Sequence, residues 1–467
     1  MPTRYNVVDL FSGMGGLSLG LSFTGRLQTR VAWDCFVEAL DTFADIHNTN
    51  QCAFLREDIR QDTEVRIIDA LNKTGASPTQ VDIVVGGPPC EGFSQNRSVN
   101  SGGDWRIAGA TRVNKFIDDS RNQLFRSFLD VVSLLNPKVV LIENVPAIVK
   151  HKDGETLGEI LQTLKDMKYI ARARILNAAD YGVPQLRRRA FILAQRIEDF
   201  EKSGRLIALP SPTHTAFPLP SERFDNSLDW LPGDSGYWIS VREAIGDLQK
   251  PQRASSSMLE PYSCAANSDF RRYVRGASSV GPAHHIARIM GSGGLSRVQA
   301  LKSRQSAKDL PDNLKPKSFY HHSYSRLVWA DPARTITKFA YNVGSGMFAH
   351  PEEDRAITMR EAARLQTFPD WVNFKSDAIR NVSAMIGNAI PPLLGWKIGK
   401  EIVRYLDWIS NTDSVKAGKP LRTDAVLRRL EGQLWDSDSM SRQPRMPFVD
   451  EAGLVDTLDL VEEEEEA

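Results

Sequence analysis

Short β-branched apolar runs alternate with segments of helical spacing over the first 200 residues of the chain. The apolar runs predict strands at residues 5–10, 29–34, 81–85 and 138–143. Helical spacing predicts helices at residues 15–23, 38–47, 123–135 and 157–167. We therefore expect an α/β fold with an open sheet, in which ligands bind at the carboxyl ends of the strands.

The pattern changes at about residue 205. Four prolines between residues 210 and 220 interrupt it, and serine-, glycine- and proline-rich stretches follow up to about residue 316. This composition is typical of a loop-rich unit with little periodic structure. Helical spacing returns at residues 359–368 and 393–405, whereas the chain from about residue 412 ends in a glutamate run that we expect to be disordered.

Composition places the chain among ordinary globular proteins of two or three structural units. It has 467 residues, of which 41% are hydrophobic and 25% charged. Its apolar runs are far shorter than the roughly 20 residues of a membrane span, and its first residues have no apolar signal core. The 4 scattered cysteines argue against a disulfide framework or a CxxC zinc site. We expect a cytoplasmic protein with no metal and no membrane partner.

Charge is distributed unevenly, although 58 basic and 58 acidic side chains cancel. Residues 450–467 contain nine acidic and no basic residues, which leaves a net charge of +9 on residues 1–449. Residues 250–338 contain fifteen basic against five acidic residues. Clustered positive charge is typical of a protein with a polyanion partner, but charge alone does not exclude an ordinary solvated surface.

Three segments fit a nucleoside site. Residues 9–16 (DLFSGMGG) follow the first predicted strand, and their glycines let the backbone approach a ligand at the start of a helix. Asp34 closes the second strand, about 20 residues on, where ribose-binding sites carry a carboxylate. Asp58 and Ile59 close a predicted third strand and would place a carboxylate near an adenine amino group. Together the three favour a nucleotide or nucleoside cofactor.

Residues 86–95 (GGPPCEGFSQ) contain a candidate nucleophile. Cys90 follows the predicted strand 81–85 in a turn of glycine and proline, which would hold its thiol rigidly in an exposed place. A free thiol has a pKa of ~8.5, so a nucleophilic role requires surroundings that favour the thiolate. A lone cysteine is usually a small buried hydrophobe, but packing explains this turn poorly.

Glu143 and two arginines complete the candidate chemistry. Glu143 ends the apolar run 138–143, where burial raises a carboxyl pKa and suits general acid catalysis; a salt-bridged strand terminus is the ordinary alternative. Arg187 and Arg189 share one face if residues 185–189 (QLRRR) are extended, and paired guanidinium groups suit phosphate or carbonyl oxygens. Taken alone, they are better explained by a charged surface strand.

The order of these motifs resembles that of the DNA (cytosine-5)-methyltransferases, from Val7 to about Tyr405 except in the basic middle region. The early motifs that carry the resemblance are residues 9–16, 87–90 (GPPC), 119–122 (DSRN), 143–145 (ENV) and 185–189. The later ones are residues 326–327 (RL), 332–337 (PARTIT), 360–369 (REAARLQTFP) and 387–392 (GNAIPP). So many motifs in one order are highly specific.

The resemblance implies a Rossmann-like domain that binds S-adenosylmethionine, and a smaller, loop-rich target recognition domain. Cys90 matches the family's nucleophile, Glu143 the group that engages the cytosine ring nitrogen, and Arg187 and Arg189 the arginines near the flipped base and its phosphate. The positions that match contacts of S-adenosylmethionine are Phe11, Gly13, Gly15, Gly16, Asp34, Asp58, Ile59, Pro88, Asn388 and Ala389. The family usually has Glu where Asp34 stands and a bulkier residue in place of Cys35.

The resemblance also divides the chain into four parts. They are the first part of the catalytic domain (1–204), the target recognition domain (205–325), its edge with the return to the catalytic domain (326–410), and a disordered acidic tail (411–467). Residues 96–120 resemble the mobile loop that follows the nucleophile.

The implied reaction transfers a methyl group from S-adenosylmethionine to C5 of a cytosine flipped out of a specific duplex DNA sequence, through a covalent Cys90 adduct. The base must leave the stack because the duplex hides its C6 atom. We expect a bacterial modification methylase of a restriction-modification or defence system. It would act on double-stranded DNA as a monomer at the nucleoid, with a restriction endonuclease acting separately.

Three other functions compete with this interpretation. An RNA cytosine-5 methyltransferase uses the same motifs, but such enzymes generally have a less extensive recognition region than the basic insert found here. An amino-methylating enzyme carries an Asp/Asn-Pro-Pro-aromatic turn in place of Gly-Pro-Pro-Cys. A non-catalytic DNA-binding regulator would not need Cys90, Glu143 and Arg187, all of which are present.

Overall fold

The computed structural model describes residues 3–47, 51–89, 124–215, 236–251, 261–276, 281–317, 319 and 322–411. The strands in these ranges are β1 (Tyr5–Leu10), β2 (Leu27–Trp33), β3 (Ala53–Leu55), β4 (Val81–Gly86), β5 (Val139–Asn144), β6 (Tyr169–Asn177), β7 (Gln185–Leu186), β8 (Arg188–Arg196), β9 (His214–Thr215), β10 (Gly236–Tyr237) and β11 (Ala333–Arg334). The α-helices are α1 (Gly16–Ser22), α2 (Val37–His47), α3 (Thr63–Lys73), α4 (Leu124–Leu135), α5 (Glu155–Asp166), α6 (Ile197–Ser203), α7 (Val241–Ile245), α8 (Asp269–Arg275), α9 (Ser292–Ala300), α10 (Met359–Leu365), α11 (Ile379–Asn388) and α12 (Pro392–Asn411).

Seven strands form one sheet in the order β3-β2-β1-β4-β5-β8-β6. Pairing is parallel from β3 to β5, and β8 runs antiparallel to both of its neighbours. From β1 the chain continues to one side of the sheet, and it returns at β4 to build the other side. The order in which strands are added therefore reverses between the parallel neighbours β1 and β4. This topology confirms the predicted Rossmann-like α/β fold.

Helices cover both faces of this sheet, which explains why its central strands read as continuous apolar runs. Successive residues of a strand point to opposite faces. Val8 lies in one buried cluster with Phe128 of α4, whereas Val7 lies in the opposite cluster with Leu17 of α1 and Leu393 of α12.

A second core lies beside the sheet and contains short helices and irregular segments. Ile245 of α7, Phe270 of α8, Leu365 of α10, Ile386 of α11 and Leu19 of α1 belong to one buried cluster. The described part of residues 205–325 thus shares a core with residues 326–410, and the predicted boundaries between them stay a prediction.

The structure confirms the predicted strands and helices of the first 167 residues to within two residues, and it corrects three details. The third strand ends at Leu55, so the prediction that Asp58 and Ile59 close it is wrong. The helix predicted over residues 359–368 ends at Leu365, because Thr367 adopts a positive φ of 62°. The helix predicted over residues 393–405 extends from Pro392 to Asn411.

Several sequence predictions concern residues outside the described ranges. These are Cys90, the loop at residues 96–120, the motif at residues 119–122, much of the recognition segment (residues 216–235, 252–260 and 277–280) and the acidic tail after Asn411.

Candidate active site

Two turns lie side by side at the point where the strand order reverses, between β1 and β4. Residues 11–15 follow β1, and residues 87–89 follow its neighbour β4. Because the chain leaves these strands toward opposite sides of the sheet, a crevice opens outside their carboxyl ends. Ligands of open α/β folds bind in such a crevice.

The turn after β1 forms an open, polar cradle. Phe11 and Gly13 both adopt left-handed backbone conformations, with φ of 56° and 53°. A Cβ atom at Gly13 would meet no heavy atom within 4 Å. The Ser12 Oγ atom is buried, and no described residue offers it a hydrogen-bond partner. Open space beside an unpaired hydroxyl fits a polar ligand such as S-adenosylmethionine.

Asp34 follows β2 and faces this cradle. Its carboxylate accepts hydrogen bonds of 2.8 Å from the backbone N–H groups of Gly13 and Phe36. Burial raises the pKa of Asp34, and the backbone N–H groups around the carboxylate oppose that rise. The structure thus brings Asp34 to the glycine turn, as the sequence predicts for a ribose-binding residue.

Asp58 and Ile59 differ from each other in environment. The Asp58 carboxylate is paired with Arg60, whose hydrogen bonds lower the pKa of Asp58 to about 2. Its side chain is 36% exposed. Ile59 is buried on one face of the sheet, in the cluster that contains Val8 and Phe128. The contact of either residue with S-adenosylmethionine stays a prediction.

The opposite wall of the cradle comes from the far end of the chain. Gly15 and Gly16 lie at the start of α1, and a Cβ atom at Gly16 would lie 2.3 Å from the carbonyl oxygen of Ile390 and 3.2 Å from Ala389 Cβ. Only glycine permits this approach. Asn388 is exposed and Ala389 half-buried at the end of α11. Ala389 therefore lies beside the glycine turn, whereas the closing role of Asn388 stays a prediction.

Glu143 lies one residue before the end of β5 and binds Arg189. Arg189 Nε lies 2.9 Å from Glu143 Oε1, and the two side chains are only 16% and 12% exposed. Burial raises the pKa of Glu143, while the positive charges of Arg189 and Arg187 limit the rise. A buried carboxyl with a raised pKa is suited to donating a proton near neutral pH.

The turn after β4 is fixed against Glu143. The Asn144 side-chain amide donates a hydrogen bond of 3.2 Å to the Pro88 carbonyl. A Cβ atom at Gly87 would lie 3.0 Å from Glu143 Oε2. The chain therefore enters the segment that begins with Cys90 directly beside the Glu143 carboxyl, although Cys90 itself lies outside the described residues.

Arg187 differs from Arg189 in exposure and contacts. Its side chain is almost completely buried, and its guanidinium donates hydrogen bonds of 3.0 Å to the carbonyls of Ile336 and Gly387. Burial lowers the pKa of Arg187 well below its usual range. Arg187 therefore binds carbonyl oxygens, which is one of the roles predicted for the pair Arg187 and Arg189. It is not part of a charged surface strand, because it is buried.

Two buried glutamines near this site were not predicted from the sequence. Gln185 and Gln366 are fully buried and hydrogen-bonded to each other at 3.0 Å. The available signal was their polarity within the motifs at residues 185–189 and 360–369. Residues 185–189 have no apolar periodicity, so that segment gives no indication of burial. The helical spacing of residues 359–368, in contrast, puts Gln366 four residues after Ala362 on the same helix face, and this was a signal for its burial.

The described ranges hold no group of three or more His, Cys, Asp or Glu side chains arranged to bind a metal ion. No helix in this part of the chain is long and apolar enough to cross a membrane.

Comparison with known proteins identifies the family. The model of the C-5 cytosine-specific DNA methylases matches residues 5–404. The type II methyltransferase M1.HphI of Haemophilus parahaemolyticus is 29% identical over 399 residues, which cover 85% of this chain and 86% of that protein. The type II methyltransferase M.AgeI of Thalassovita gelatinovora is 28% identical over 458 residues, or 85% of this chain and 98% of that protein.

A solved structure shows the same fold. It is described as a DNA modification methyltransferase encoded within a prophage (E. coli), with a TM-score of 0.63 and 23% identity, covering 86% of this chain and 100% of that one. The family match spans the glycine turn, Glu143, the paired arginines and the segment that closes the cradle. The chain belongs to the C-5 cytosine-specific DNA methylase family and is a DNA (cytosine-5)-methyltransferase.

Proposed function

We propose that this enzyme methylates a flipped cytosine through a covalent bond between Cys90 and C6 of the ring. The observation that carries the proposal is the buried Glu143 carboxyl, 2.9 Å from Arg189 and beside the turn that leads into Cys90. Cytosine C5 is a poor nucleophile, so an activating group must first add to the ring. A thiolate and a proton donor at adjacent strand ends meet that need.

The reaction would proceed by addition, methyl transfer and elimination. The Cys90 thiolate forms a bond to C6, and Glu143 gives its proton to N3 as electrons move into the ring. The electrons at C5 would then bond to the methyl carbon of S-adenosylmethionine, the methyl donor of this family, while the methyl–sulfur bond breaks with its electron pair on sulfur and leaves S-adenosylhomocysteine. The C5 proton leaves to solvent or a base, its electron pair restores the C5–C6 double bond, and the Cys90 thiolate departs. The N3 proton returns to Glu143.

Residues around the cradle would bind the methyl donor. Asp34 is placed to accept hydrogen bonds from ribose hydroxyls, since its carboxylate already lines the glycine turn. Phe11, Gly13, Gly15 and Gly16 would contact the ligand from that turn. The remaining proposed contacts are Asp58, Ile59, Pro88, Asn388 and Ala389.

Residues 205–325 would read the DNA sequence. Flipping a base costs about a few kcal/mol, which phosphate contacts of the basic region 250–338 can offset. Such contacts release counterions, so binding should weaken steeply with salt. Exchanging residues 205–325 for those of a methyltransferase with another target should change the methylated sequence, and an active chimera that keeps the original target would refute this assignment.

The biological role we propose is modification of a bacterial genome against a separate restriction endonuclease. Two relatives carry type II methyltransferase names, which supports this role. The enzyme would act as a monomer on the cytoplasmic nucleoid. Bisulfite sequencing of DNA from expressing cells should show 5-methylcytosine in one short sequence context.

Trapping on 5-fluorocytosine tests the chemistry. Fluorine at C5 cannot leave as a proton, so the enzyme should become irreversibly joined to such duplex DNA when S-adenosylmethionine is present. Cys90→Ser should abolish the adduct, because a hydroxyl is a far weaker nucleophile near neutral pH. Glu143→Gln should slow adduct formation, because an amide does not supply the proton.

Cys52→Ser is the matched control. Cys52 is a half-buried free thiol just before β3 and lies outside residues 205–325, so this variant should form the adduct as fast as the natural enzyme. A stable adduct with Cys90→Ser would place the nucleophile elsewhere and refute the proposal.

A further inference from the structure

The C-terminal end of α11 is held by side chains from two other parts of the chain. The last carbonyls of a helix lack partners within it. Gln366 donates from Nε2 to the carbonyls of Ile386 and Ala389, at 2.8 and 3.4 Å. Arg187 Nη2 donates to the Gly387 carbonyl at 3.0 Å. This helix end carries Asn388 and Ala389, and Ala389 lies beside Gly16 of the proposed cofactor cradle.

Gln185 fixes the orientation of the Gln366 amide. Its Nε2 atom donates to Gln366 Oε1 and to the Leu365 carbonyl, both at 3.0 Å. Because Gln366 Oε1 is occupied in this way, its NH₂ group must face the carbonyls of α11. Gln185 Oε1 accepts from the backbone N–H of Ile336 at 2.8 Å, so the whole network is buried and directional.

Arg187 joins this network to the catalytic carboxyl. It lies two residues after Gln185 and two before Arg189, the residue that binds Glu143. Its guanidinium donates to two backbone carbonyls, and its Nε has no hydrogen-bond partner in the described part of the chain. A cation at a helix C-terminus interacts favourably with the helix dipole, which stabilises this arrangement.

We infer that Gln185, Arg187 and Gln366 are positioning residues that set the placement of residues 388–389 relative to Glu143. The inference rests on the proposed roles of those residues in the function above. Three residues of the segment 185–189, which are Gln185, Arg187 and Arg189, would thereby hold both sides of the reaction, the methyl donor through α11 and the cytosine through Glu143. A displacement of about 1 Å between reacting groups can slow an enzyme by about 100-fold.

Gln366→Ala tests the inference, with Gln195→Ala as a matched control. Gln195 is also a buried glutamine, and it lies in β8, where its Nε2 donates to the Arg205 carbonyl at 2.9 Å and to the Tyr405 hydroxyl at 3.2 Å. Both variants lose a buried amide, so both should be destabilised to a similar extent. Only the first should weaken binding of S-adenosylmethionine.

The measurement is calorimetric titration of S-adenosylmethionine into the full-length protein without DNA. We expect Kd to rise about tenfold or more for Gln366→Ala and to stay within about twofold for Gln195→Ala, since only the first change releases the end of α11 that carries residues 388–389. Steady-state kinetics should show KM for S-adenosylmethionine rising more than KM for DNA. Gln366→Met, which nearly keeps the side-chain volume, carries the test if the alanine variant does not fold.

Two outcomes would overturn the inference. Folded Gln366→Ala or Gln366→Met protein that binds S-adenosylmethionine as tightly as the natural enzyme would show that the network is only structural. A Kd for S-adenosylmethionine that rises equally in Gln195→Ala would also show that the network is only structural. Failure of the proposed chemistry is separate, because it would appear as trapping of Cys90→Ser on 5-fluorocytosine DNA.

Discussion

The sheet and the second core of this enzyme are stabilised in different ways. In the sheet, β1, β4 and β5 bury aliphatic side chains on both faces, and neighbouring strands pair their backbone groups. In the second core, Arg360, Arg364 and Asp247 have no exposed side-chain surface. Buried charge is rare in proteins unless it is paired, so its concentration there requires an explanation.

Irregular backbone provides that explanation. Arg360 donates to the carbonyls of Ala283, Pro369 and Val372. Arg364 donates to the Ala244 carbonyl as well as to two carboxylates. Short helices and loops leave carbonyls without partners in a ladder, and buried carbonyls need a donor. Arginine supplies five donors in one side chain. In the second core it therefore satisfies buried backbone carbonyls, which strand pairing satisfies in the sheet.

The largest expected effect comes from breaking this arrangement at Arg364. Arg364→Ala removes the cation that the buried carboxylates of Asp247 and Asp370 share and leaves Asp247 paired mainly with Arg275, which should lower the free energy of unfolding by about 3–5 kcal/mol. Equilibrium unfolding in urea measures this loss. A change below about 1 kcal/mol would mean that water or other arginines compensate, and that the contrast with the sheet is mistaken.

The two regions should also depend on pH in opposite directions. In the sheet, burial raises the pKa of Asp9 to about 7, and the nearest hydrogen bond comes from the neutral Ser18 hydroxyl. In the second core, burial alone would raise the pKa of Asp247, but Arg364 and Arg275 outweigh it and lower that pKa. Asp9 therefore stabilises the fold at low pH and Asp247 at high pH.

Asp9→Asn tests this contrast. A carboxyl with a raised pKa contributes stability that is complete below its ordinary pKa near 4 and is lost as pH rises toward about 7. The natural protein should lose about 1.4 kcal/mol per pH unit from this group across that range. Urea unfolding at pH 5 and pH 7 should show a smaller loss in Asp9→Asn. Equal losses in both proteins would assign the pH dependence to other groups.

Much of the sheet could be predicted from the sequence because its signals are local. An apolar run predicts β5, and its last residues place Glu143 at the edge where ligands bind. Asp34 lies beside the glycine turn for the same reason, since the ends of parallel neighbours meet at one edge. The end of the third strand could not be predicted, because three residues are too few to show a pattern.

The second core could not be predicted in this way because its determinants are distant in sequence. Arg187 binds the carbonyls of Ile336 and Gly387, which lie 149 and 200 residues further along the chain. A run of three arginines indicates a charged surface unless these partners are known. The same holds for Arg364 and Asp247, 117 residues apart.

A smaller effect is expected at the start of α10, where the second core uses ordinary helix capping. The Thr358 hydroxyl accepts a hydrogen bond from the Glu361 N–H at 3.1 Å, and the Glu361 carboxylate accepts one from the Thr358 N–H at 2.7 Å. Thr358→Ala removes the first bond and should cost about 1 kcal/mol. Thr358→Ser keeps the hydroxyl and is the control. If both variants lose the same free energy of unfolding, the threonine methyl group, and not the cap, contributes the stability.

The smallest effect should come from an ion pair on the sheet side that resembles the buried pairs in chemistry but not in burial. Arg126 of α4 and Glu159 of α5 make two hydrogen bonds, of 2.6 and 3.1 Å, with side chains 54% and 41% exposed. Water already solvates both groups, so Arg126→Ala should lower the free energy of unfolding by no more than about 1 kcal/mol. Urea unfolding at low and high salt should show this small loss shrinking as salt screens the charges. A loss as large as that of Arg364→Ala would mean that pairing geometry, and not burial, distinguishes the two regions.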